Sequence, residues 1–210
     1  MLTATRPADI VLPTLIRERL GPAPVCGIDE AGRGPWAGPV VAAAVILDPD
    51  AVPEGLNDSK QVPRKRREAL AEALRASAIV GIGAASVAEI ERLNILGASL
   101  LAMVRAVAAL PHVPAHALID GNRLPSGLPC PAEAVPGGDR HCLSIAAASI
   151  VAKVARDALM ARLARRHPGY GWETNQGYGT PEHAAALDRL GLTAHHRRGF
   201  EPVRRLCQAP

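Results

Sequence analysis

Residues 24–39 read Pro-Val-Cys-Gly-Ile-Asp-Glu-Ala-Gly-Arg-Gly-Pro-Trp-Ala-Gly-Pro, an apolar run that ends in two adjacent carboxylates, Asp29 and Glu30. The Gly-Arg-Gly that follows makes it difficult for a strand to continue. Paired carboxylates at the end of a buried strand are costly unless a cation compensates them, and Mg²⁺ and Mn²⁺ prefer such hard oxygen ligands. This stretch therefore predicts a strand that ends at a metal site.

The alternative interpretation of the same stretch is a surface turn with two solvated acids and flexible glycines. Residues 32–34 favour the metal site, because exposed backbone N–H groups and one cation beside the acids suit an anionic ligand. On a regular strand Asp29 and Glu30 would face opposite sides. Both can reach one site only if the strand breaks at that point, as Gly32 indicates.

Length and composition predict one large globular domain, or one domain with an appendage. The chain has 210 residues, 48% of them apolar but only 2% aromatic, so the core must consist mostly of Ala, Val, Leu and Ile. Most of the positively charged residues are arginines, and the net charge is +4. This charge is compatible with a nucleic-acid partner but does not by itself indicate one. No Cys-x-x-Cys spacing and no long apolar segment at the start are present, which predicts free thiols, no zinc site and a cytoplasmic protein away from membranes.

The pattern of apolar runs and breaks predicts a mixed α/β sheet with helices on its faces and a helical C-terminal extension. The predicted strands are residues 25–31, 39–47, 79–85, 117–121 and 132–135, and the first three could pair as an antiparallel meander. The predicted helices are residues 12–20, 64–75, 86–110, 144–166 and 181–190, with a short one near the C-terminus. Ser86 with Glu89 is typical of a capping box, Ser144 is the predicted N-cap of the fourth helix, and Thr180 with Pro181 begins the fifth.

Two further carboxylates, Asp120 and Asp139, share the position of Asp29 and Glu30, because each follows a predicted strand and adjoins glycine. Side chains at strand ends can converge although they are distant in sequence. Four converging carboxylates repel each other and must bind cations or protons. Two divalent ions would meet that need and would set up in-line attack on a phosphodiester. Taken alone, Asp120 and Asp139 are equally well explained as ordinary turn residues.

Six motifs in order resemble the type 2 ribonuclease H family, bacterial ribonuclease HII in particular. They are residues 27–34 (Gly-Ile-Asp-Glu-Ala-Gly-Arg-Gly), 57–60 (Asn-Asp-Ser-Lys), 118–121 (Leu-Ile-Asp-Gly), 138–157, 177–183 (Gly-Tyr-Gly-Thr-Pro-Glu-His) and 196–200 (His-Arg-Arg-Gly-Phe). Together they extend over roughly residues 25–202. The resemblance implies a ribonuclease H-like fold with a mixed five-stranded sheet flanked by helices. It also implies an N-terminal extension over 1–22 and a family domain over 23–210, whose helical C-terminal part begins at about 181.

The resemblance also implies an activity and the residues that carry it. The family hydrolyses the RNA strand of RNA–DNA hybrids and cuts 5′ to single ribonucleotides in duplex DNA, leaving 3′-OH and 5′-phosphate ends, in ribonucleotide repair and primer removal. Two Mn²⁺ or Mg²⁺ ions would be held by all four carboxylates: Asp29, Glu30, Asp120 and Asp139. The implied substrate-binding residues are Gly32, Arg33, Gly34, Ser59, Lys60 and Tyr178. The implied state is a monomer, with a possible sliding-clamp contact through the C-terminus.

Several other features have simpler explanations. Lys153 and Asp157 are four apart on a predicted helix and are interpreted as a structural ion pair. His183, His195 and His196 are poor metal candidates, because their spacing is not matched to the carboxylates. Rival functions are a junction resolvase, which would cleave all-DNA junctions, and a catalytically silent hybrid-binding module, which would not need the full set of carboxylates.

Overall fold

A single five-stranded mixed sheet forms the centre of the protein. The computed structural model describes residues 13–20, 22–201 and 203–208. The strands are β1 (Val25–Ala31), β2 (Val40–Leu47), β3 (Ala78–Ala85), β4 (His116–Asp120) and β5 (Ala132–Val135), in the order β3-β2-β1-β4-β5. The pairs β1–β2 and β2–β3 are antiparallel, which confirms the predicted meander, whereas β4 lies parallel to β1 and β5 parallel to β4.

Seven α-helices in the described residues surround the sheet: α1 (Ile16–Leu20), α2 (Arg64–Ser77), α3 (Val87–Ala108), α4 (Leu143–Arg166), α5 (Trp172–Asn175), α6 (Pro181–Leu190) and α7 (Val203–Gln208). Helix α3 packs on β2 and β3 from one face, and α4 packs on β1 and β2 from the other, with α2 beside it. The result is a three-layer arrangement with apolar contacts on both faces of the sheet. Leu12, where the first helix was predicted to begin, lies outside the described residues.

Small residues on the sheet let both helical layers approach closely, which explains how so few aromatics suffice. Ala42, Ala43 and Ala44 of β2 are completely buried. A Cβ on Gly27 of β1 would lie 2.1 Å from the backbone of Ser144 in α4, and one on Gly83 of β3 would lie 2.2 Å from the carbonyl oxygen of Ala102 in α3. Close packing of helix backbone on strand backbone therefore replaces large side chains in this core.

A separate small core joins α4 to the C-terminal helices. Trp172 is fully buried there and stacks on Tyr170 with ring centroids 5.0 Å apart. Its indole N–H donates to Nε2 of His183 at 3.1 Å. Met160 of α4 and Leu187 of α6 complete the contact. The C-terminal helical part is thereby attached to the end of α4.

The beginning of α4 differs from the prediction. The N-cap position is Cys142, whose side chain makes no capping hydrogen bond, so the prediction of Ser144 as the cap was wrong. Ser144 lies inside the first turn, and both its N–H (2.8 Å) and its hydroxyl (2.7 Å) donate to Oε1 of Glu18 in α1. A carboxylate from a distant segment thus satisfies donors that sequence patterns assign to a local side chain. The division into an extension over 1–22 and a domain over 23–210 stays a prediction.

Two other predicted helix starts are confirmed, and one irregularity is new. Ser86 and Glu89 form the capping box of α3, and the hydroxyl of Thr180 accepts from the N–H of His183 at the start of α6. Asn94, with φ 58° and ψ 175°, interrupts α3, and its Oδ1 accepts from the N–H groups of Leu96 (2.9 Å) and residue 97 (3.1 Å). Asn94 therefore acts as an internal N-cap between two helical segments.

The four cysteines are free thiols, in agreement with the predicted absence of disulfides. Within the described ranges, none of the helices has the length and apolar character needed to cross a bilayer.

Candidate active site

One cleft brings the predicted site residues together at the end of the sheet where β1 and β4 finish. Its volume is about 370 Å³. All ten residues selected from the sequence line it: Asp29, Glu30, Gly32, Arg33, Gly34, Ser59, Lys60, Asp120, Asp139 and Tyr178. Because β1 and β4 are parallel neighbours, their carboxyl ends lie at the same edge, and ligands bind outside such ends in many α/β proteins. The placement is therefore as expected, whereas the role of each residue stays a prediction.

Asp29 and Glu30 reach this cleft from opposite faces of the sheet. Asp29 lies on the α4 side, the same side as Gly27, whose backbone packs against Ser144 of α4. Glu30 also lines a smaller cavity with Leu100 and Met103 of α3. The strand stops at Ala31, and both carboxylates are therefore accessible from its end. The end of β1 just after the pair therefore provides the strand break that adjacent carboxylates need in order to reach one site.

Burial and mutual repulsion oppose ionisation of these carboxylates. Burial raises the pKa of Asp29 well above its ordinary value, and the charges of Glu30 and Asp120 raise it further. Burial also raises the pKa of Glu30, although Arg33 opposes this change. Burial, followed by the charge of Asp120, raises the pKa of Asp139. A bound cation would relieve all of these unfavourable interactions at once.

The chemistry of the donor set fits a divalent cation. Asp29 and Asp139 are only 5% and 8% exposed. Among the four carboxylates, Glu30 alone forms a salt bridge within the described residues, with Arg33 at 3.2 Å. Hard, buried and poorly compensated carboxylate oxygens are what Mg²⁺ and Mn²⁺ prefer.

Two of the four carboxylates, Asp29 and Asp120, accept hydrogen bonds from backbone N–H groups. Oδ1 of Asp29 accepts from the N–H of Glu30 at 2.7 Å, and Oδ1 of Asp120 accepts from the N–H of Gly138 at 2.7 Å. The second bond joins β4 to the 3₁₀ turn Gly138–Arg140, which carries Asp139. In the part of the chain that the structure describes, no three His, Cys, Asp or Glu side chains are already arranged to hold a metal ion.

The loop before α2 lies on the α4 side of the cleft. The hydroxyl of Ser149 in α4 donates to the hydroxyl of Ser59 at 2.9 Å. Nη1 of Arg67 donates to the carbonyl oxygen of Ser59 at 2.5 Å, and the N–H of Lys60 donates to Oδ1 of Asp58 at 2.9 Å. Contacts to two helices thus fix the backbone from which Ser59 and Lys60 extend.

The Gly32–Gly34 loop faces Tyr178 across the cleft. Gly32 has φ +98°, and a Cβ there would lie 1.9 Å from Nε of Arg156. A Cβ on Gly34 would lie 3.6 Å from Cε1 of Tyr178. Tyr178 is 46% exposed. A narrow gap between backbone and aromatic ring results.

Three residues of α4 line the cleft without having been selected as site residues: Ser149, Lys153 and Arg156. The ion pair predicted between Lys153 and Asp157 is present, with Nζ and Oδ1 2.5 Å apart, and Lys153 also borders the cleft. Spacings of four and three residues place the three side chains on one helical face. From the sequence alone this spacing shows that the three residues share a face of the helix. It could indicate that they line the cleft only if the orientation of α4 were known.

The three histidines that were judged poor metal candidates, His183, His195 and His196, do not line the cleft that holds the carboxylates. His183 and His196 are buried beside Trp172, with their Nε2 atoms 3.2 Å apart. Nδ1 of His183 lies 2.9 Å from the carbonyl oxygen of Tyr178. His195 contacts the ring of His167. These rings belong to the C-terminal core that supports the Tyr178 loop.

Comparison with known proteins gives a consistent family. The family model for ribonuclease HII matches residues 26–203. Ribonuclease HII of Paramagnetospirillum magneticum is 64% identical over 183 residues, which are 85% of this chain and 90% of that protein. Ribonuclease HII of Ruegeria pomeroyi is 63% identical over 182 residues, 87% of this chain and 78% of that protein.

Solved structures show the same fold. Ribonuclease H2 from Pyrococcus horikoshii OT3 superposes with a TM-score of 0.75 at 26% identity, over 88% of this chain and 97% of that one. RNase HII from Archaeoglobus fulgidus, solved as a complex with PCNA, gives 0.71 at 26% identity, over 84% of this chain and 95% of that one. The chain therefore belongs to the ribonuclease HII family, and it is an RNase H endonuclease that cleaves the RNA strand of RNA–DNA hybrids.

Proposed function

We propose that the protein also cuts duplex DNA on the 5′ side of a single embedded ribonucleotide, leaving 3′-OH and 5′-phosphate ends. The observation that carries this proposal is the cleft lined by four carboxylates, of which Asp29 and Asp139 are buried and Glu30 and Asp120 half-buried, together with the Gly32–Gly34 loop and Tyr178. A nuclease site needs the carboxylates for chemistry, whereas selection of a ribonucleotide needs a separate group that senses the 2′-OH.

Asp29, Glu30, Asp120 and Asp139 would hold two divalent cations, Mg²⁺ or Mn²⁺. When bound, such cations supply activation of the attacking water and stabilisation of the leaving oxygen. The role of the carboxylates would be to hold those cations, because a carboxylate by itself repels a phosphate. Ser59 and Lys60 would bind the neighbouring phosphates, because a hydroxyl donor and an ammonium suit phosphate oxygens.

The residues opposite the carboxylates would select the substrate. Backbone groups of Gly32, Arg33 and Gly34 can approach the sugar closely enough to contact a 2′-OH, the group that separates RNA from DNA locally. The ring of Tyr178 would pack flat against the following sugar, which lacks that hydroxyl. Together they would recognise a ribonucleotide followed by a deoxyribonucleotide.

A cleavage assay on three duplexes tests this proposal. One contains a single ribonucleotide, one is all DNA, and one is a continuous RNA–DNA hybrid, each with Mg²⁺ or Mn²⁺. We expect one cut 5′ to the ribonucleotide, no cut in all-DNA, and loss of cleavage in Asp120→Asn, with the exposed Asp188→Asn as the matched control. Binding without cutting by the wild type would favour a binding module, and cleavage of all-DNA junctions would favour a resolvase.

The cellular setting follows from the same proposal. Cutting at embedded ribonucleotides fits a monomeric cytoplasmic enzyme that acts in ribonucleotide excision repair and primer removal. Because the Archaeoglobus fulgidus relative was solved with PCNA, we include a sliding-clamp contact through the C-terminus. Gel filtration with a bacterial clamp, comparing the full chain with one lacking residues 207–210, measures that contact.

A further inference from the structure

Two arginines from distant parts of the sequence meet behind the cleft. Arg156 comes from α4, and Arg197 follows α6. They are only 1% and 0% exposed, and neither forms a salt bridge within the described residues. Burial, and then the neighbouring charge of Arg156, lowers the pKa of Arg197 to about 9. A buried pair of like charges is costly, so it must be balanced by strong hydrogen bonds.

All of their protein hydrogen bonds go to backbone carbonyl oxygens. Arg197 donates to Gly32 (2.6 Å), Arg33 (2.8 Å) and Gly38 (2.9 Å). Arg156 donates to Gln176 (3.0 Å) and Ala37 (3.2 Å). Both also donate to the carbonyl oxygen of Pro39, at 3.1 Å from Arg156 and 3.3 Å from Arg197.

These bonds connect the two sides of the substrate cleft. Arg197 holds the first residues of the glycine loop against the chain at 38–39, and Arg156 holds that same chain against Gln176, two residues before Tyr178. The N–H of Trp36 donates to the carbonyl oxygen of Gly177 at 2.8 Å, which closes the same connection through the backbone. The position of Tyr178 relative to Gly34 therefore depends on both guanidinium groups.

The Arg156 side chain also explains why residue 32 has no side chain. A Cβ there would overlap the guanidinium at Nε. The planar fork of arginine presents donors in fixed directions to several carbonyls at once, which the single ammonium of lysine cannot reproduce. The pair is therefore built to hold a set of carbonyls at fixed distances.

We propose that Arg156 and Arg197 are positioning residues that set the gap between the Gly32–Gly34 loop and Tyr178, and thereby the preference for a ribonucleotide–deoxyribonucleotide junction over continuous RNA. This inference rests on the proposed function. A continuous hybrid has a 2′-OH on both sugars, so its cleavage depends less on the fit of Tyr178 against a deoxyribose. A loosened gap should consequently reduce junction cleavage more than hybrid cleavage.

The test compares Arg156→Lys and Arg197→Lys with the wild type. Arg165→Lys, an exposed arginine of α4, is the matched control. We measure kcat/KM on the single-ribonucleotide duplex and on the continuous hybrid, and take their ratio. The ratio is expected to fall at least tenfold in both variants and to stay unchanged in the control. A general loss of structure would lower both activities together, so an unchanged ratio would overturn the inference.

Two further observations keep the outcomes separate. If the wild type does not cut at single ribonucleotides, the proposed function fails and the inference fails with it. If the wild type cuts but the lysine variants do not fold, NMR of the wild-type guanidinium protons decides. Fixed carbonyl bonds require slow exchange of the Arg156 and Arg197 N–H protons, and exchange as fast as that of exposed arginines would contradict the proposal.

Discussion

Asp29 carries a charge that the folded protein disfavours in the absence of a cation. Its pKa is raised in the folded state, mainly by burial and then by Glu30 and Asp120. A raised carboxyl pKa contributes stability that is present below the unfolded pKa and is lost as the pH rises through the folded pKa. At neutral pH the metal-free protein therefore contains a destabilising group, which the proposed metal site would use as a ligand.

We predict that Asp29→Asn stabilises the metal-free protein at pH 7. The amide keeps an oxygen that can accept from the N–H of Glu30 but removes the charge. The expected gain is on the order of 1 kcal/mol, or about 2–4 °C in Tm for a chain of this size. Thermal unfolding with a chelator at several pH values measures it. The gain should shrink as the pH falls towards 4, and a gain independent of pH would contradict the explanation.

Gly32 has a positive φ and also lies against the side chain of Arg156. The energetic costs that these two features impose on a side chain at residue 32 can be measured separately. We predict that Gly32→Ala lowers the free energy of unfolding by about 3 kcal/mol, from backbone strain and displacement of Arg156. Gly127→Ala is the control, because Gly127 has φ +87° but no atom within 4 Å of its Cβ position. It should cost only about 1 kcal/mol, for the strain alone. Urea unfolding measures both variants. If Gly32→Ala and Gly127→Ala lose the same free energy of unfolding, the overlap with Arg156 does not contribute to the cost at residue 32.

At the scale of elements, the start of α4 depends on α1. The N–H of Leu143 donates to the carbonyl oxygen of Thr14 at 3.1 Å, and the N–H of Ser144 donates to Glu18. A carboxylate at a helix N-terminus satisfies free donors and interacts favourably with the helix dipole. Helix α4 carries three residues of the cleft, so this contact supports the site from its far end.

We predict that Glu18→Ala destabilises the protein by about 1–2 kcal/mol, because two donors of Ser144 lose their acceptor. Glu18→Gln retains an oxygen acceptor and should cost less. Urea unfolding measures both, and the exposed Glu72→Ala on α2 should change stability by no more than about 0.5 kcal/mol. A Glu18→Ala loss as small as the Glu72 control would show that α4 does not need this cap.

At the scale of the whole molecule, metal binding should appear as stability as well as activity. We predict that Mn²⁺ or Mg²⁺ raises Tm, by an amount equivalent to about 2.7 kcal/mol when the metal is at one hundred times its Kd. A chelator should reverse the shift and stop cleavage while leaving far-UV circular dichroism unchanged. Asp120→Asn should reduce the shift, and absence of any shift in either metal would contradict the proposed metal site.

Much of the site was predictable because its signals are local. An apolar run that ends in Asp29-Glu30 and then glycine indicates a strand with acids at its end, whatever surrounds it. As single residues, Asp120 and Asp139 could equally have been ordinary turn residues. They became candidate metal ligands because they lie in motifs that follow the order of a known family. By contrast, Ser144 was assigned to the wrong helix position, because its acceptor Glu18 lies 126 residues away.

The sequence by itself determined the five strands, most of the helices and the position of acids at strand ends, since apolar periodicity and strand breaks follow from short-range chemistry. The other residues predicted for the cleft came from the resemblance to a known family and not from local patterns. Only the tertiary structure decided that β4 lies beside β1, and that Arg156 and Arg197 support the glycine loop and Tyr178. Arg197 and Gly32 are 165 residues apart. The acceptors are backbone carbonyls, which every residue has, and so no residue type in the sequence marks them as partners.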